Sequence, residues 1–592
     1  MLRQDKITAI FLTAVIALAS FLIYSPALYN EFVWDDFHFT TNPVRIGAEP
    51  YSFFLGGGLY YRPVLHLSVV TDYSFWQLNP LGYHLTNIIL HALCSALVFL
   101  VALYLTGNAR LSAGPEYSER NTSGKSLIPA FIAAMLFALH PIHTESVAWI
   151  NGRTDVLAAL FLLLGFLSYI LYVKEGKNTA LVLLAVFFLF SLFSKENGVA
   201  LIGIVPVYGL IAGLPRRKIL LSWLALSAGF IVYLLLRFGG GVKEFAATPG
   251  SREAFFAPGI TPGRFLEILS MGTGYYFEKL VAPFNLNVLP RLPEHPVYYL
   301  IFIAPFITGA VLYLKGKKLH AFLVAWIVIT LLPSLSIMFS QVAAPVAERY
   351  LYLPSVGFVI LAGLLAGSIR NVKIAMITVF SVFVIYGVTT LDRLGDWRND
   401  LALWEDTVRK NPDSANARMN YAAALIRTGM PGRAKEELLV ALGKKISFQQ
   451  TSKILELLGV VETEYGNYGE AEKHLVESIK ANNRNPTAYN NLGFLYASMA
   501  GSPGYGTRKK DLLMKSIKKY GEALRLSPGF LQPKFNMGLS YLKMGDFEKA
   551  WQYFDSVIKS APEGEMSAKA LNFMLLIKLS EGGNKDIQLI SR

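Results

Sequence analysis

The sequence predicts an all-α protein in two parts, a polytopic bundle of membrane-spanning helices followed by a helical solenoid. Three observations carry this. Of the 592 residues 53% are hydrophobic and only 16% charged, against roughly 25% charge in a soluble domain. The deficit falls on residues 1–391, whose apolar runs only lipid can solvate. The remainder is richly charged and repeats itself at a spacing of about 34 residues, the period of stacked helix-turn-helix units. The chain therefore divides into a membrane domain (1–391), a linker or first helix (392–412), about four repeats (413–580) and a tail (581–592).

A helix needs about 20 apolar residues to cross the roughly 30 Å hydrocarbon core. About eleven segments qualify, near 7–28, 85–105, 127–141, 156–173, 179–193, 198–214, 219–236, 298–314, 321–339, 350–369 and 372–391. The stretch 265–284 is partly apolar and reads as a helix lying at the interface. Arg3 and Lys6 precede the first run as in a signal peptide, but that run is long and lacks a small-x-small cleavage site, so it reads as a retained span.

Positive charge orients the spans. With a cytoplasmic N-terminus, the inside loops hold Arg110, Arg120 and Lys125, then Lys174 and Lys177, then Arg216, Arg217 and Lys218, then Lys315, Lys317 and Lys318, then Arg370 and Lys373. The short outside loops hold about one each: Arg153, Lys195 and Arg349. An odd number of spans places everything after about 391 outside the cytoplasm. The sequon Asn121-Thr122-Ser123 falls in a loop expected inside. The net charge of +14 is dispersed in short clusters between apolar runs, which excludes the contiguous basic face of a nucleic-acid binder. Cys94 is the single cysteine, so no internal disulfide forms.

The repeat units start near Asn416, Lys453, Thr487 and Leu531. Each pairs a helix carrying a small residue at its close-packing position with a more charged helix. The turns between them are Thr428-Gly429-Met430, Tyr465-Gly466-Asn467-Tyr468 and Met544-Gly545-Asp546-Phe547. Pro412, Pro486, Pro528 and Pro562 are read as closing the preceding units, and residues 500–509 as an inserted loop. The pattern is that of tetratricopeptide repeats, which bind an extended peptide or a protein partner; a spacer or dimerisation arm is the plainer reading.

Polar residues that a membrane domain ordinarily avoids gather at the ends of the spans. Glu31-Phe32-Val33-Trp34-Asp35-Asp36-Phe37 follows the first span. Tyr61-Arg62-Pro63 and His66 precede the second, which His84 and Asn87 open. His140-Pro141-Ile142-His143-Thr144-Glu145 ends the third, followed by Asn151-Gly152-Arg153-Thr154-Asp155. Ser194-Lys195-Glu196-Asn197 joins the fifth and sixth, and Glu348-Arg349-Tyr350 starts the tenth. Charged groups cost about 2.5–3.5 kcal/mol at a helix centre, so they mark a pathway or a site. By the expected topology all these clusters share one outer side, which predicts a substrate pocket there involving His66, His84, His140, His143, Glu145, Glu196, Glu348 and Tyr350. The sequence calls for no certain cofactor, and a divalent metal is the less favoured alternative. His140, His143 and Glu145 are of metal-ligating type, but Pro141 interrupts the helix and the spacing is not that of H-E-x-x-H. Hydrogen bonding, a general-base role or interfacial placement is the favoured reading of the histidines.

The ordered set W-D-D, Y-R-P, H-P-I-H-T-E, N-G-R-T-D, S-K-E-N and E-R-Y-L-Y-L-P-S-V-G, followed by tetratricopeptide repeats, resembles the transmembrane-and-tetratricopeptide-containing protein O-mannosyltransferases. The resemblance runs from Trp34 to the last repeat and is to a bacterial homologue, in the bacterial cytoplasmic membrane, or in the endoplasmic reticulum if the host is eukaryotic. It implies a GT-C class glycosyltransferase that takes a sugar from a polyprenyl- or dolichyl-phosphate carrier and passes it, with inversion, to a protein serine or threonine hydroxyl. An acid of the first outer loop, Asp35 or Asp36, would be the base. Charge and location make Arg349 and Lys195 the candidates for holding the donor phosphate, with Arg62 and Arg153 in reserve. The leaving group is already an ionised phosphate, so one working carboxylate suffices. Two alternatives stand beside this: transfer to a lipid or polysaccharide acceptor, and a non-catalytic membrane-anchored scaffold.

Overall fold

The computed structural model describes residues 3–36, 61–107, 123–238, 261–339, 344–444, 446–562 and 564–581. Phe37, Arg110, Arg120, Asn121, Thr122 and all but the first residue of the 581–592 tail lie outside these. Among the described residues every regular element is a helix, and the chain forms two compact units that divide between Leu403 and Trp404.

The first unit comprises α1 (Arg3–Tyr24), α2 (Pro63–Trp76), α3 (Pro80–Thr106), α4 (Ser123–Leu139), α5 (Thr144–Ala148), α6 (Arg153–Glu175), α7 (Asn178–Ser194), α8 (Leu201–Ile211), α9 (Arg216–Phe238), α10 (Pro262–Val281), α11 (Val297–Leu314), α12 (Lys318–Leu335), α13 (Tyr352–Gly367) and α14 (Val372–Asp396). Eight of these helices (α1, α3, α6, α9, α11, α12, α13 and α14) are long and apolar enough to cross a bilayer. α4 and the 141–148 segment are together long and apolar enough to cross but are bent by 47° between them, and the apolar helices at Asn178–Ser194 and Glu196–Ile211 are shorter. These eleven fall on the eleven segments expected from the sequence. This is a multi-pass membrane protein.

The bend has a plain cause. Pro141 has no N–H to donate and its ring crowds the preceding turn, which favours a break there, and the chain passes through a 3₁₀ turn (Pro141–His143), α5 and a second 3₁₀ turn (Ile150–Gly152) before α6 begins. Every residue from His140 to Ala159 is buried. Irregular backbone at membrane depth is tolerated only where protein covers it or it lines a cavity. Gly152 makes the fold-back feasible: a Cβ there would stand 2.6 Å from the carbonyl oxygen of Glu145 and 2.8 Å from Cα of Ser146. Two helices complete the unit. α10 covers the stretch read as interfacial. α2 is not foreseen; it starts at Pro63, whose fixed φ suits the first helical position.

The 392–412 stretch, read as a linker or first helix, contains the end of α14 and α15 (Asp400–Lys410). The second unit continues with the antiparallel pairs α16 (Ala415–Arg427) and α17 (Pro431–Leu442), α18 (Phe448–Glu464) and α19 (Tyr468–Ala481), α20 (Pro486–Gly501) and α21 (Lys509–Leu526), α22 (Leu531–Met544) and α23 (Phe547–Ser560), and ends on α24 (Glu565–Glu581). Four helix pairs at the expected positions make a tetratricopeptide solenoid. Gly429, Gly466 and Gly545 turn three of the pairs with φ of 76°, 75° and 81°, a left-handed conformation that side chains resist. Small residues let the paired helices close: a Cβ on Gly459 would meet Leu475, one on Gly493 Tyr520, and one on Gly538 Phe554, all within 2.7 Å. Two details differ from expectation. Pro486 opens α20 rather than closing the preceding unit, with Asn485 accepting from the N–H groups of Thr487 and Ala488 as its cap. The insertion in the third pair is not an open loop, because Pro503–Arg508 winds into a 3₁₀ helix.

Candidate functional site

The acidic loop after α1 is held by backbone bonds. Asp36 is fully buried; one of its oxygens accepts the N–H of Val33 at 3.1 Å and the other the N–H of Asn151 at 3.1 Å. Burial drives its carboxyl well above the usual carboxylate range, and the charges of Asp35 and Asp400 add to this while the two N–H groups oppose it. Asp35 is differently placed. It is half-buried, and its carboxylate accepts from the Asn151 side-chain amide at 3.0 Å. Trp34, just before the pair, has φ of 57° and stacks on Trp149 with ring centroids 4.9 Å apart. A non-glycine residue in that conformation stores on the order of 1–3 kcal/mol of strain, and such strain clusters at functional sites.

Arg349 lies beside this loop, within electrostatic reach of Lys195, which also feels Arg62. The Arg349 guanidinium lies 5.8 Å from the Trp34 ring centre, 5.2 Å from that of Trp149 and 4.9 Å from that of Tyr350. It is ion-paired with Glu145, which also accepts the Arg349 N–H at 2.9 Å. The other side of this grouping is Lys195, 4.9 Å from the same Tyr350 ring and paired with Asp155. Burial pulls the Lys195 ammonium down to about 8 against the attraction of Asp155, with repulsion from Arg62 and Arg349 contributing. Arg62, at the mouth of α2, pairs with Glu196 at 2.9 Å, and Arg237 at the end of α9 approaches the same carboxylate at 3.6 Å. The side chains of Arg62, Glu196 and Arg349 retain 19%, 37% and 11% exposure, so these and Asp35 form the accessible edge of the cluster.

Other expected pocket residues sit behind that edge. Arg153 has no exposure, and a reserve role on a donor phosphate does not fit: its guanidinium donates to Asn87 Oδ1 at 2.6 Å, to the Tyr83 carbonyl at 2.9 Å and to Ser68 at 3.2 Å, and pairs with Asp72. Asn87 in turn donates to the carbonyls of Val147 and Trp149, so the Arg153 network props up the irregular 145–152 segment. Glu348 is buried, accepts the Asn287 N–H and faces Arg393 of α14. His84 is fully buried. His140 lies 3.1 Å from the Leu280 carbonyl, and His143 bridges the Phe137 carbonyl at 2.8 Å and Ser355 at 2.9 Å. With those rings so engaged and Glu145 given to Arg349, the three candidate metal ligands do not converge, and no group of three or more His, Cys, Asp or Glu side chains placed to hold a metal occurs among the described residues. His66, on α2, is half-buried.

Sequence reasoning missed Asp72, Trp149, Arg237 and Asp400. Asp72 had a signal, a lone acid in the apolar run that became α2. Asp400 had none, since its partner Trp34 is 366 residues away.

The fold and this cluster define a multi-pass membrane protein with an acid-and-cation site built from its span ends, joined to a tetratricopeptide solenoid. No family model matches the chain. It is 26% identical over 480 residues to human protein O-mannosyl-transferase TMTC4, covering 70% of this chain and 64% of that one. Over 495 residues it is 26% identical to Drosophila melanogaster protein O-mannosyl-transferase Tmtc3, covering 71% and 52%. The proteins it matches are thus named protein O-mannosyl-transferases, the family that its motifs resemble, and the chain spans less than two thirds of their length. Among solved structures the crystal structure of MamA is 21% identical with a TM-score of 0.22, covering 27% of this chain and 80% of that one.

Proposed function

We propose that this chain is a glycosyltransferase that moves a sugar, mannose or a similar hexose, from a polyprenyl- or dolichyl-phosphate carrier to serine or threonine hydroxyls of extracytoplasmic proteins, with inversion. The observation that carries this reading is the contrast between two adjacent acids. Asp36 is fully buried and spent on two backbone N–H groups, whereas Asp35 is half-buried, its carboxylate holding the Asn151 side-chain amide, in the loop whose Trp34 faces Arg349. Asp35 takes the hydroxyl proton as that oxygen attacks the anomeric carbon. The bond from that carbon to the phosphate oxygen breaks, and its electron pair leaves with the lipid phosphate. The transition state has oxocarbenium character, as in glycoside hydrolysis. Arg349, Lys195 and Arg62 stabilise the charge gathering on the phosphate. The names of the relatives support the reaction class.

The repeats are proposed to lie on the same, extracytoplasmic side as Asp35 and to bind the protein acceptor or a partner that delivers it. Membranes containing the full chain, given a radiolabelled polyprenyl-phosphate hexose, are expected to place label in protein at serine and threonine. Label in lipid or polysaccharide would shift the acceptor class, and no transfer at all would leave the scaffold reading. A C-terminal tag cleaved by external protease in inverted vesicles but not in spheroplasts would defeat the proposed sidedness.

A further inference from the structure

The acidic loop is tied to a segment far along the chain. The N–H of Trp34 donates to Asp400 Oδ1 at 2.6 Å, and the N–H of Glu31 donates to the Arg398 carbonyl at 2.9 Å. Trp397, fully buried, reaches to 6.5 Å from the ring centre of Trp149, on which Trp34 stacks. The four residues following α14 therefore grip the loop at both its start and its middle. Asp400 opens α15, and it spends a carboxylate oxygen on a partner outside its own helix.

The grip falls where it decides the direction of the chain. Trp34 holds a left-handed φ of 57°, unusual for a bulky residue. Turning φ back to the ordinary region would swing the peptide that follows, and that peptide carries Asp35. A carboxylate accepting a backbone N–H is a strong, charge-assisted restraint. Asp36, fixed to Val33 and Asn151, holds the far side of Asp35, and Asp400 holds the near side.

We infer that Asp400 is a positioning residue for sugar transfer, fixing through the Trp34 amide the direction in which Asp35 presents its carboxylate; this rests on Asp35 being the base. Asp400 touches neither substrate, so its loss falls on kcat rather than on donor binding. The test compares full-length wild type, Asp400→Ala and Asp400→Asn in nanodiscs, by steady-state transfer from labelled polyprenyl-phosphate hexose and by amide exchange of the 30–36 peptide. Asp400→Ala is expected to speed exchange in that peptide and to lower kcat on the order of 10–100-fold, with the donor KM within about twofold. Asp400→Asn, which retains an acceptor oxygen, is expected to recover most of both. Wild-type kcat in Asp400→Ala, or a loss residing in KM, would overturn the inference. Should the wild type transfer no sugar, the base assignment fails, and unchanged exchange in Asp400→Ala would then also refute the grip on the loop.

Discussion

The ammonium of Lys195 lies between the two carboxylate oxygens of Asp155, 2.6 Å and 2.7 Å from them. Burial nonetheless lowers it to about 8, so the cation proposed to face the donor phosphate is lost just above neutrality. Transfer measured as kcat/KM is expected to decline as pH rises through about 8. Stability moves the other way. Between about 8 and 10.5 the unfolded lysine binds more protons than the folded one, so this group's contribution to folding stability rises with pH across that window. Lys195→Arg, which stays charged, is expected to abolish the alkaline limb, and a limb that survives in this variant would assign it elsewhere.

The two acids of the first loop predict opposite phenotypes. Asp35→Asn is expected to lower kcat by roughly 10²–10⁴-fold with the melting temperature little changed. Asp36→Ala strips two buried N–H groups of their acceptor, at about 1–3 kcal/mol each, and is expected to lower the melting temperature and the yield of folded protein first. Thermal unfolding paired with a transfer assay separates them. A stable, fully active Asp35→Asn protein would exclude Asp35 as the base.

Two arginines from the same motif set divide likewise. Arg349→Lys, which keeps a positive charge beside the buried Glu145 but loses the guanidinium fork, is expected to reduce kcat about 10²-fold while leaving the protein extractable. Asp72→Ala leaves Arg153 as a buried charge without its counter-ion, a loss of about 3–5 kcal/mol, and is expected to prevent recovery of monodisperse protein. Size-exclusion profiles of the two variants in detergent test the contrast.

In the solenoid, Gly545 holds φ of 81°. Gly545→Val is expected to destabilise the α22–α23 pair by about 1–2 kcal/mol or more, because a β-branched residue tolerates that conformation poorly. Limited proteolysis of the full chain would reveal it as early cleavage near residues 544–547.

Much of this architecture was readable in the sequence, because it rests on local signals. The apolar runs found their helices, and Gly429, Gly466 and Gly545 marked turns whose left-handed backbone demands them. The motif residues around Asp35, Lys195 and Arg349 likewise proved to be neighbours. The failures are of another kind. Arg153 and Arg349 look alike in sequence, each a cation in a short polar motif at a span end. What separates them is exposure: Arg153, paired with Asp72 of α2, has none, whereas Arg349, paired with Glu145 of α5, retains 11%. α2 escaped notice because its apolar face is interrupted by His66, Ser68, Thr71 and Asp72, which read as loop until Arg153 is seen to neutralise the acid.

The unwound stretch from His140 to Gly152 bears on how the protein is made. A regular span arrives in the bilayer with its own amide bonds already closed, but this stretch has carbonyls held by Asn87 before it and side chains, His140, Glu145 and His143, whose partners Leu280, Arg349 and Ser355 come after it, the last 212 residues downstream of His143. It can settle only once α13 has emerged from the ribosome and docked. Completion of this segment's bonding is therefore a late event in the biogenesis of the membrane domain, and a nascent chain halted before Arg349 would hold its earlier helices in lipid while still lacking these partners.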